Sequence, residues 1–562
     1  MKKFLFSLFV IALGFQSGIK AQYTKYIIRF KDKAGTPFSL NNPTQFLSAK
    51  SIQRRTRQNI SLDETDLPVT PAYIDSVRLA GVVTILNKSK WLNQVCIQTT
   101  DNIALAKINS FPFVISSRPL MRAQPTSVPT KKFEERINKT ALSKPSQIFT
   151  DDYDYGSSYA QIHIHEGEFL HNNGFKGEGM LMAIMDDGFY HYKTITAFDS
   201  ARNNKQVIET YDFVKNEINV DEDDTHGMFC FSIIAANWPG QLVGSCPKAK
   251  FYLYRTENVS SEYPVEEQNW VAAAERADSI GVDVFSTSLG YNTFDNSVFN
   301  HTYADMDGNT TIIARANDLA AKKGIISVVA AGNDGAAAWH FISTPADADS
   351  VVTVGAVNAS GAVAGFSSYG PSSDGQIKPT VASVGVGTAF ANTNNQPAFG
   401  NGTSFATPNM AGLITCLWQA FPDFTNMQVI EAVKKSSSIY SNPDDRIGYG
   451  IPNFHKAFDD LTQQRVLKNA NTILGDEWIK IYPNPFKRNF NILVKPKQSG
   501  TAILKLYDAS GKLYQAKEIA VQAGQPQFIQ FENVQPLASG IYILKYSDGV
   551  NKKIIKILGR QF

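Results

Sequence analysis

Four polar residues punctuate apolar stretches of this chain, and their types are those that acyl transfer needs. Asp186 closes Ala183-Ile184-Met185 and precedes Asp187-Gly188, and His226 sits in Thr225-His226-Gly227-Met228. Asn333 follows Val328-Val329-Ala330-Ala331-Gly332, and Ser404 lies in Asn401-Gly402-Thr403-Ser404-Phe405-Ala406-Thr407-Pro408. A serine hydroxyl is a weak nucleophile until a base takes its proton. An imidazole base in turn needs a carboxylate to fix its tautomer and stabilise the cation it becomes. The tetrahedral intermediate needs donors already aimed at its oxyanion, which a carboxamide and a backbone N–H at a helix start can supply. Gly402 is expected to turn the backbone sharply before Ser404. Pro408 is expected in the first turn of the following helix, where its missing N–H is harmless.

Other clusters carry less chemistry. His163, His165 and His171 have no thiolate or carboxylate at a recognisable ligand spacing and are expected to be structural or exposed. Asp305-Met306-Asp307-Gly308 begins like a calcium loop but lacks the later ligands and the terminal glutamate. The acidic run Asp221 to Asp224 suits a solvated loop. Four cysteines (Cys96, Cys230, Cys246, Cys416) are too few for a disulfide framework; Cys230 is either a free thiol or the partner of Cys246.

The four reactive residues need a rigid frame, and residues 151–464 supply its pattern. Short β-branched runs (180–185, 250–254, 282–285, 325–330, 351–354) alternate with helical stretches (226–236, 266–280, 314–323, 404–420). Unbroken apolar strands separated by helices predict a parallel sheet covered on both faces. Residues 22–122 mix strands (26–30, 82–86, 94–98) with helices (43–57, 104–109), a small α+β domain, and 123–150 form a Pro/Ser/Thr/Lys-rich linker completing the 22–150 module. After a second linker, 465–477, residues 478–562 carry recurring strands with turns at Asp508-Ala-Ser-Gly511 and Ser547-Asp-Gly549, a small all-β sandwich. The only membrane-directed segment is Phe4 to Phe15, which follows Lys2-Lys3 and is too short to span; residues 1–21 therefore form a secretory signal peptide.

Charge follows the same divisions. Residues 1–150 carry net +14, residues 151–464 net −20 and residues 465–562 net +9, although the whole chain is only +3. A nucleic-acid binder concentrates basic charge on its functional core, whereas the largest block here is acidic, so no nucleic-acid partner is expected.

With the four motifs in the order Asp, His, Ser, residues 151–464 resemble a subtilisin-like (S8 family) serine peptidase. The resemblance implies Asp186 as orienter, His226 as base, Ser404 as nucleophile and Asn333 as oxyanion donor; it selects Asp186 over Asp187 because the acid lies two residues before the glycine. It also implies that Ser288-Leu289-Gly290 is the substrate-strand edge, and that Ala330, Ala331 and Gly332 line the S1 side above Ser343. Further matches are Phe366-Ser-Ser-Tyr-Gly-Pro371 and Gly448-Tyr-Gly450; departures are Met228 after His226-Gly227, where Thr is usual, and Thr380 after Lys378-Pro379, where Asp is usual.

Tyr26-Ile-Ile-Arg-Phe30 is similar to the opening strand of a subtilisin-type inhibitory propeptide. Tyr482-Pro-Asn-Pro485, Gly540-Ile-Tyr542 and the Lys552-Lys553 strand resemble a type IX secretion sorting domain. The fold class expected is therefore α/β, a subtilisin-like parallel sheet with helices on both faces, between a small α+β propeptide and a small all-β sandwich. The implied function is a secreted serine endopeptidase made as a proenzyme, with an adhesion or binding protein on a peptidase fold as the alternative. Its expected partners are protein or peptide substrates, its own propeptide as inhibitor and the type IX secretion machinery, and its expected location the outer cell surface or beyond, reached through the periplasm. No cofactor is required for the chemistry; the resemblance admits structural calcium, with no ligand set assigned and metal ligands unknown. Propeptide affinity is expected to rest mainly on apolar contact and on strand pairing at Ser288-Leu289-Gly290.

Overall fold

The computed structural model describes residues 23–122, 151–222, 224–532, 534 and 539–560. The expected signal peptide, 1–21, and the expected linker, 123–150, lie outside the described residues. The chain divides into two compact units, 1–454 and 455–562.

The first unit begins with an antiparallel sheet of β1 (Tyr23–Phe30), β2 (Thr84–Ser89), β3 (Gln94–Gln98) and β4 (Val114–Arg122) in the order β2-β3-β1-β4. Helices α1 (Ala49–Arg57), α2 (Pro71–Arg78) and α3 (Asn102–Asn109) accompany it. The helix expected over 43–57 is divided: Pro43–Gln45 form a separate 3-10 turn, and α1 starts only where the Ser48 hydroxyl accepts the Ser51 N–H.

The larger part of this unit is a seven-stranded parallel sheet, built from β5 (Leu181–Asp186), β6 (Val207–Asp212), β7 (Lys250–Arg255), β8 (Val284–Thr287), β9 (Ile326–Ala330), β10 (Val352–Val357) and β11 (Val381–Val384). The strands run in the order β11-β10-β9-β8-β5-β7-β6, so β5 and β8 lie centrally, side by side. Every residue of β5, β8, β9 and β10 is buried, as a sheet covered on both faces requires. The principal helices are α4 (His226–Ala235), α5 (Val265–Ile280), α6 (Ile312–Lys322), α7 (Thr403–Ala420) and α8 (Asn426–Lys435), and a hairpin of β12 (Val386–Ala391) and β13 (Pro397–Asn401) leads into α7. Residues of α4 and of α7 up to Trp418 are all buried.

The N-terminal sheet docks on α5. Ile27, Trp91 and Leu120 join the core cluster that contains Trp270, Val271 and Ala274. Polar contact at the same face is extensive. Asp278 of α5 accepts Arg54 at 2.5 Å, Arg55 at 2.9 Å and Lys90 at 3.2 Å. Glu275 accepts the Ser89 hydroxyl at 2.5 Å and the Lys90 and Trp91 N–H groups at 2.6 and 3.0 Å. The interface thus adds a buried ionic cluster to the apolar contact expected for it, and residues beyond 122, which strand pairing at 288–290 would use, are outside the described set.

In the second unit, β14 (Ile479–Tyr482), β15 (Phe490–Val494) and β18 (Gln527–Phe531) form one antiparallel sheet. β16 (Gly500–Asp508), β17 (Leu513–Val521), β19 (Gly540–Ser547) and β20 (Lys552–Gly559) form another, in the order β17-β16-β19-β20. Phe490, Ile492, Leu504, Leu544 and Phe531 fill the core of this sandwich. Helical residues 454–468 and 470–474 occupy most of the stretch expected as linker 465–477; Val466, Leu467, Ala470 and Leu474 form a small apolar cluster with Leu493, which ordinary linker composition would not bury.

Candidate active site

Asp186 ends β5 at its C-terminal edge and is fully buried. Its Oδ1 lies 2.5 Å from Nδ1 of His226, the first residue of α4, and also accepts the Asp187 N–H at 2.9 Å. The neighbouring Asp187 has a different partner: its Oδ1 accepts the Gly227 N–H at 3.0 Å. Thr225, at the cap position of α4, makes no side-chain capping bond, so Asp187 serves a helix-start N–H from a separate strand end. Burial first, and the Asp186 charge second, push the Asp187 carboxyl well above the ordinary carboxylate range. Gly227 is required by close approach, since a Cβ there would lie 2.4 Å from the Gly188 carbonyl oxygen and 2.8 Å from Asp186 Cβ.

Ser404 is the second residue of α7 and is 4% exposed. It shares a neighbour with His226: Cys230 Sγ lies 3.8 Å from His226 Nε2 and 3.4 Å from the Ser404 carbonyl oxygen. Asn333 is exposed in the loop after β9, and its Oδ1 accepts the Thr403 N–H at 2.9 Å and the Thr403 hydroxyl at 3.0 Å. With the carbonyl end of the carboxamide turned to Thr403, its NH₂ is the end directed elsewhere. Gly332, at φ +109°, makes the left-handed turn that presents Asn333, and its N–H donates to Thr403 Oγ1 at 3.2 Å. Thr403, absent from the expected site, therefore ties Asn333 to Ser404; its place beside the serine was the only signal in the sequence.

Two expectations about α7 do not hold. Gly402 is extended (φ 168°, ψ 148°), a conformation open to any residue, so no glycine-specific turn precedes Ser404. Pro408 is inside the helix, five residues after Thr403, and not in its first turn. Its missing N–H releases the Ser404 carbonyl oxygen, four residues back, from the helical ladder. That oxygen takes the Ser288 hydroxyl at 2.8 Å as well as the Cys230 thiol. Ser288-Leu289-Gly290 follow directly on β8, and a Cβ added to Gly290 would stand 3.3 Å from Ser343 Cβ. Ala330 ends β9, with Ala331 and Gly332 beyond it, and a Cβ added to Gly332 would stand 3.7 Å from Ser343 Oγ, so Ser343 neighbours both segments.

The other clusters are accounted for by structure. His165 bonds the Pro452 carbonyl and Ser383 Oγ, His171 bonds Tyr155 Oη and the Ser245 carbonyl, and burial lowers both imidazoles to about 4. His163 is exposed beside Glu168. Asp307 accepts Asn309 N–H, Thr310 N–H and the Thr310 hydroxyl, and Asp305 accepts the Thr302 N–H, which gives both carboxylates a structural use in this turn. All four cysteines are free thiols, and Cys246 bonds the Lys176 carbonyl, not Cys230. Thr380 receives the Thr353 N–H and donates to the Val351 carbonyl, which gives its hydroxyl a structural use.

The subtilase family profile matches residues 177–450, the Bacteroidota peptidase S8 propeptide domain residues 25–139, and the secretion system C-terminal sorting domain residues 480–558. Subtilisin NAT of Bacillus subtilis subsp. natto is 27% identical over 320 residues, 55% of this chain and 75% of its own. Serine protease AprX of Bacillus subtilis (strain 168) is 27% identical over 343 residues, 56% of this chain and 72% of its own. Among solved structures, MycP1 from Mycobacterium smegmatis aligns with TM-score 0.43 and 20% identity, covering 58% of this chain and 89% of that one. The parallel-sheet unit is a subtilase-family peptidase domain, preceded by an S8 propeptide and followed by a type IX sorting domain. The chain belongs to the subtilisin-like serine endopeptidases, and its sorting domain marks it as secreted or held at the outer surface. Among the described residues no helix is long and apolar enough to cross a membrane.

Proposed function

We propose that this peptidase cleaves peptide bonds through Asp186, His226 and Ser404, with Asn333 and the Ser404 N–H as oxyanion donors. The observation that carries the reading is the 2.5 Å contact between Asp186 Oδ1 and His226 Nδ1, which leaves Nε2 as the basic nitrogen. His226 takes the Ser404 proton as Oγ attacks the scissile carbonyl. The oxyanion is held by Asn333 Nδ2, oriented through Thr403, and by an N–H at the positive end of α7. Collapse of the intermediate transfers that proton to the leaving amine and leaves an acyl-enzyme, which water hydrolyses by the same route. The substrate backbone pairs with Ser288-Leu289-Gly290, and its P1 side chain enters between Ala330-Ala331-Gly332 and Ser343. Subtilisin-type chemistry uses no cofactor, and no calcium ligands are assigned.

In the precursor, we assign 22–150 to the propeptide, 151–464 to the peptidase and 478–562 to the sorting domain. The propeptide inhibits until removed, and the sorting domain carries the chain from the periplasm through the outer membrane. A serine-directed phosphonate should label Ser404 and stop casein hydrolysis. His226→Ala or Ser404→Ala should lower kcat on the order of 10⁶-fold, and Asn333→Ala by about 10²–10³, the scale of such losses in this class. A folded Ser404→Ala protein with full activity would overturn the assignment.

A further inference from the structure

The outward face of the β17-β16-β19-β20 sheet has an unusual composition. Inward side chains such as Leu504, Leu544 and Ile557 are buried in the sandwich core. The alternate positions should then be polar. Instead Ile503, Ile541, Ile554 and Leu558 are 41%, 48%, 65% and 47% exposed. Lysines stand among them. Lys505 lies directly opposite Lys545 across β16 and β19, and Lys545 lies opposite Ile554 on β20. One step along, Ile543 faces Lys556, and beyond it Ile541 faces Leu558. Like charges directly opposite destabilise a sheet, and exposed aliphatics gain nothing from folding. Neither Lys505 nor Lys545 has an ion-pair partner among the described residues; Lys545 lies over the Tyr507 ring, 4.8 Å from its centroid. Glu518, opposite Ile503, is the acidic residue of this face.

We propose that this face is the surface by which the secretion machinery holds the sorting domain, and that the protein it meets presents carboxylates interleaved with apolar side chains. The proposal rests on the sorting-domain assignment and adds the surface and the chemistry of its partner. Charge complementarity gives the sign: among the described residues Lys505 and Lys545 have no anionic partner, and a bound protein would supply one. Interleaving gives the class. Lysines alternate with aliphatics across the strands, so the face cannot enter lipid without also burying ammonium groups, whereas a protein can place a carboxylate at each one.

The test uses the full chain in a bacterium with this secretion system. Lys505→Glu with Lys545→Glu should cut the secreted fraction at least 10-fold and leave active-site-labelled protein in the periplasm; Lys505→Arg with Lys545→Arg should be secreted normally. Lys505→Glu alone places opposite charges across the two strands, so it should fold at least as well as the parent yet still slow secretion. Normal secretion of folded Lys505→Glu and of the double variant, with a chain ending before Asp476 retained, overturns the surface and leaves the sorting assignment intact. Secretion of the truncated chain at the full rate removes both. Lysine-dependent sedimentation of the full chain with phosphatidylglycerol vesicles, with secretion unaffected by the lysine variants, would replace the protein partner by a lipid surface.

Discussion

The Ser288 hydroxyl donates to the main-chain carbonyl of Ser404 at 2.8 Å, joining the residue after a central strand to the second residue of the helix that carries the proposed nucleophile. Pro408, four residues on, has no N–H to donate to that carbonyl, which leaves it open to the hydroxyl. A proline within the helix, an apparent defect, thereby leaves free the acceptor by which Ser288, at the proposed substrate-strand edge, is tied to Ser404.

Ser288→Ala should therefore lower kcat/KM without unfolding the enzyme. A neutral hydrogen bond of this kind contributes about 0.5–1.5 kcal/mol, or roughly 2–10-fold. Adding Pro408→Ala restores a helical donor to the same carbonyl and should recover part of the loss. Single-turnover acylation of the two variants measures this; a double variant worse than Ser288→Ala would show that Pro408 acts otherwise.

Asp187 holds the backbone beside His226 while Asp186 holds its ring. Asp187→Ala leaves the Gly227 N–H without this acceptor and should cost about 1–3 kcal/mol. Asp187→Asn keeps a carbonyl acceptor and removes the buried acid. Because the folded-state pKa is raised, the parent binds its proton more tightly when folded, so its stability falls as pH rises from the ordinary carboxylate value through that raised pKa. The Asn variant lacks this loss. In a Ser404→Ala background that prevents autolysis, Tm of Asp187→Asn relative to the parent should increase as pH rises above the ordinary carboxylate value.

The proposed S1 side offers Ala330, Ala331, Gly332 and Ser343, small side chains that would leave room for large apolar P1 residues. Hydrolysis of P1 Phe or Leu peptides should exceed that of P1 Ala by at least ~10-fold in kcat/KM. Asp334 lies next to this wall, but burial raises its carboxyl, and Asn292 Nδ2 engages it at 3.2 Å. Lys or Arg at P1 should therefore be accepted, more so as pH rises, without displacing the apolar preference. A library profile restricted to Gly or Ala would contradict the pocket assignment.

The parallel-sheet frame was legible because apolar runs mark its strands, and the strand ends at Asp186 and Ala330 differ little from the expected ones. Edge and surface elements were not. β6, Ile-Glu-Thr-Tyr-Asp after Val207, is half-exposed at the sheet edge and shows no unbroken apolar run. β4 contains Pro119, which argues against a strand unless it lies at an edge, as it does here. Asp278 was hidden for a different reason. In sequence it is one more acid on an alanine-rich helix, and its meaning depends on Arg54 and Arg55, more than 220 residues away.

That cluster is expected to give the propeptide a second hold on the peptidase domain, beside apolar contact. Removal of the signal peptide leaves residues 22–150 at net +11 against −20 on residues 151–464, so association should be steered and salt-sensitive, with screening beyond roughly 10 Å at 0.1 M. Dissociation should depend instead on Asp278, whose ion pairs are shielded from solvent. Asp278→Ala strands Arg54, Arg55 and Lys90 in the interface, and breaking such a pair from one side costs about 3–5 kcal/mol. Separately made 22–150 should thus inhibit the Asp278→Ala peptidase roughly 10²–10³-fold more weakly, almost wholly through off-rate. Burial alone would raise the Asp278 carboxyl, but Lys90, Arg55 and Arg54 overcome it and hold the group well below the ordinary range. A pKa depressed in the complex means that this stabilisation is present above the free carboxylate value and is lost as pH falls below about 4. Glu275 has the opposite sign: burial raises it to about 7, so its proton is held more tightly in the complex and its contribution weakens as pH rises towards 7. Inhibition should accordingly be tightest in mildly acidic solution. Stopped-flow association and dissociation at low and high salt, between pH 4 and 8, separate the two effects. An off-rate unchanged by Asp278→Ala would show that the ionic cluster does not hold the propeptide, and an on-rate insensitive to salt would remove the steering.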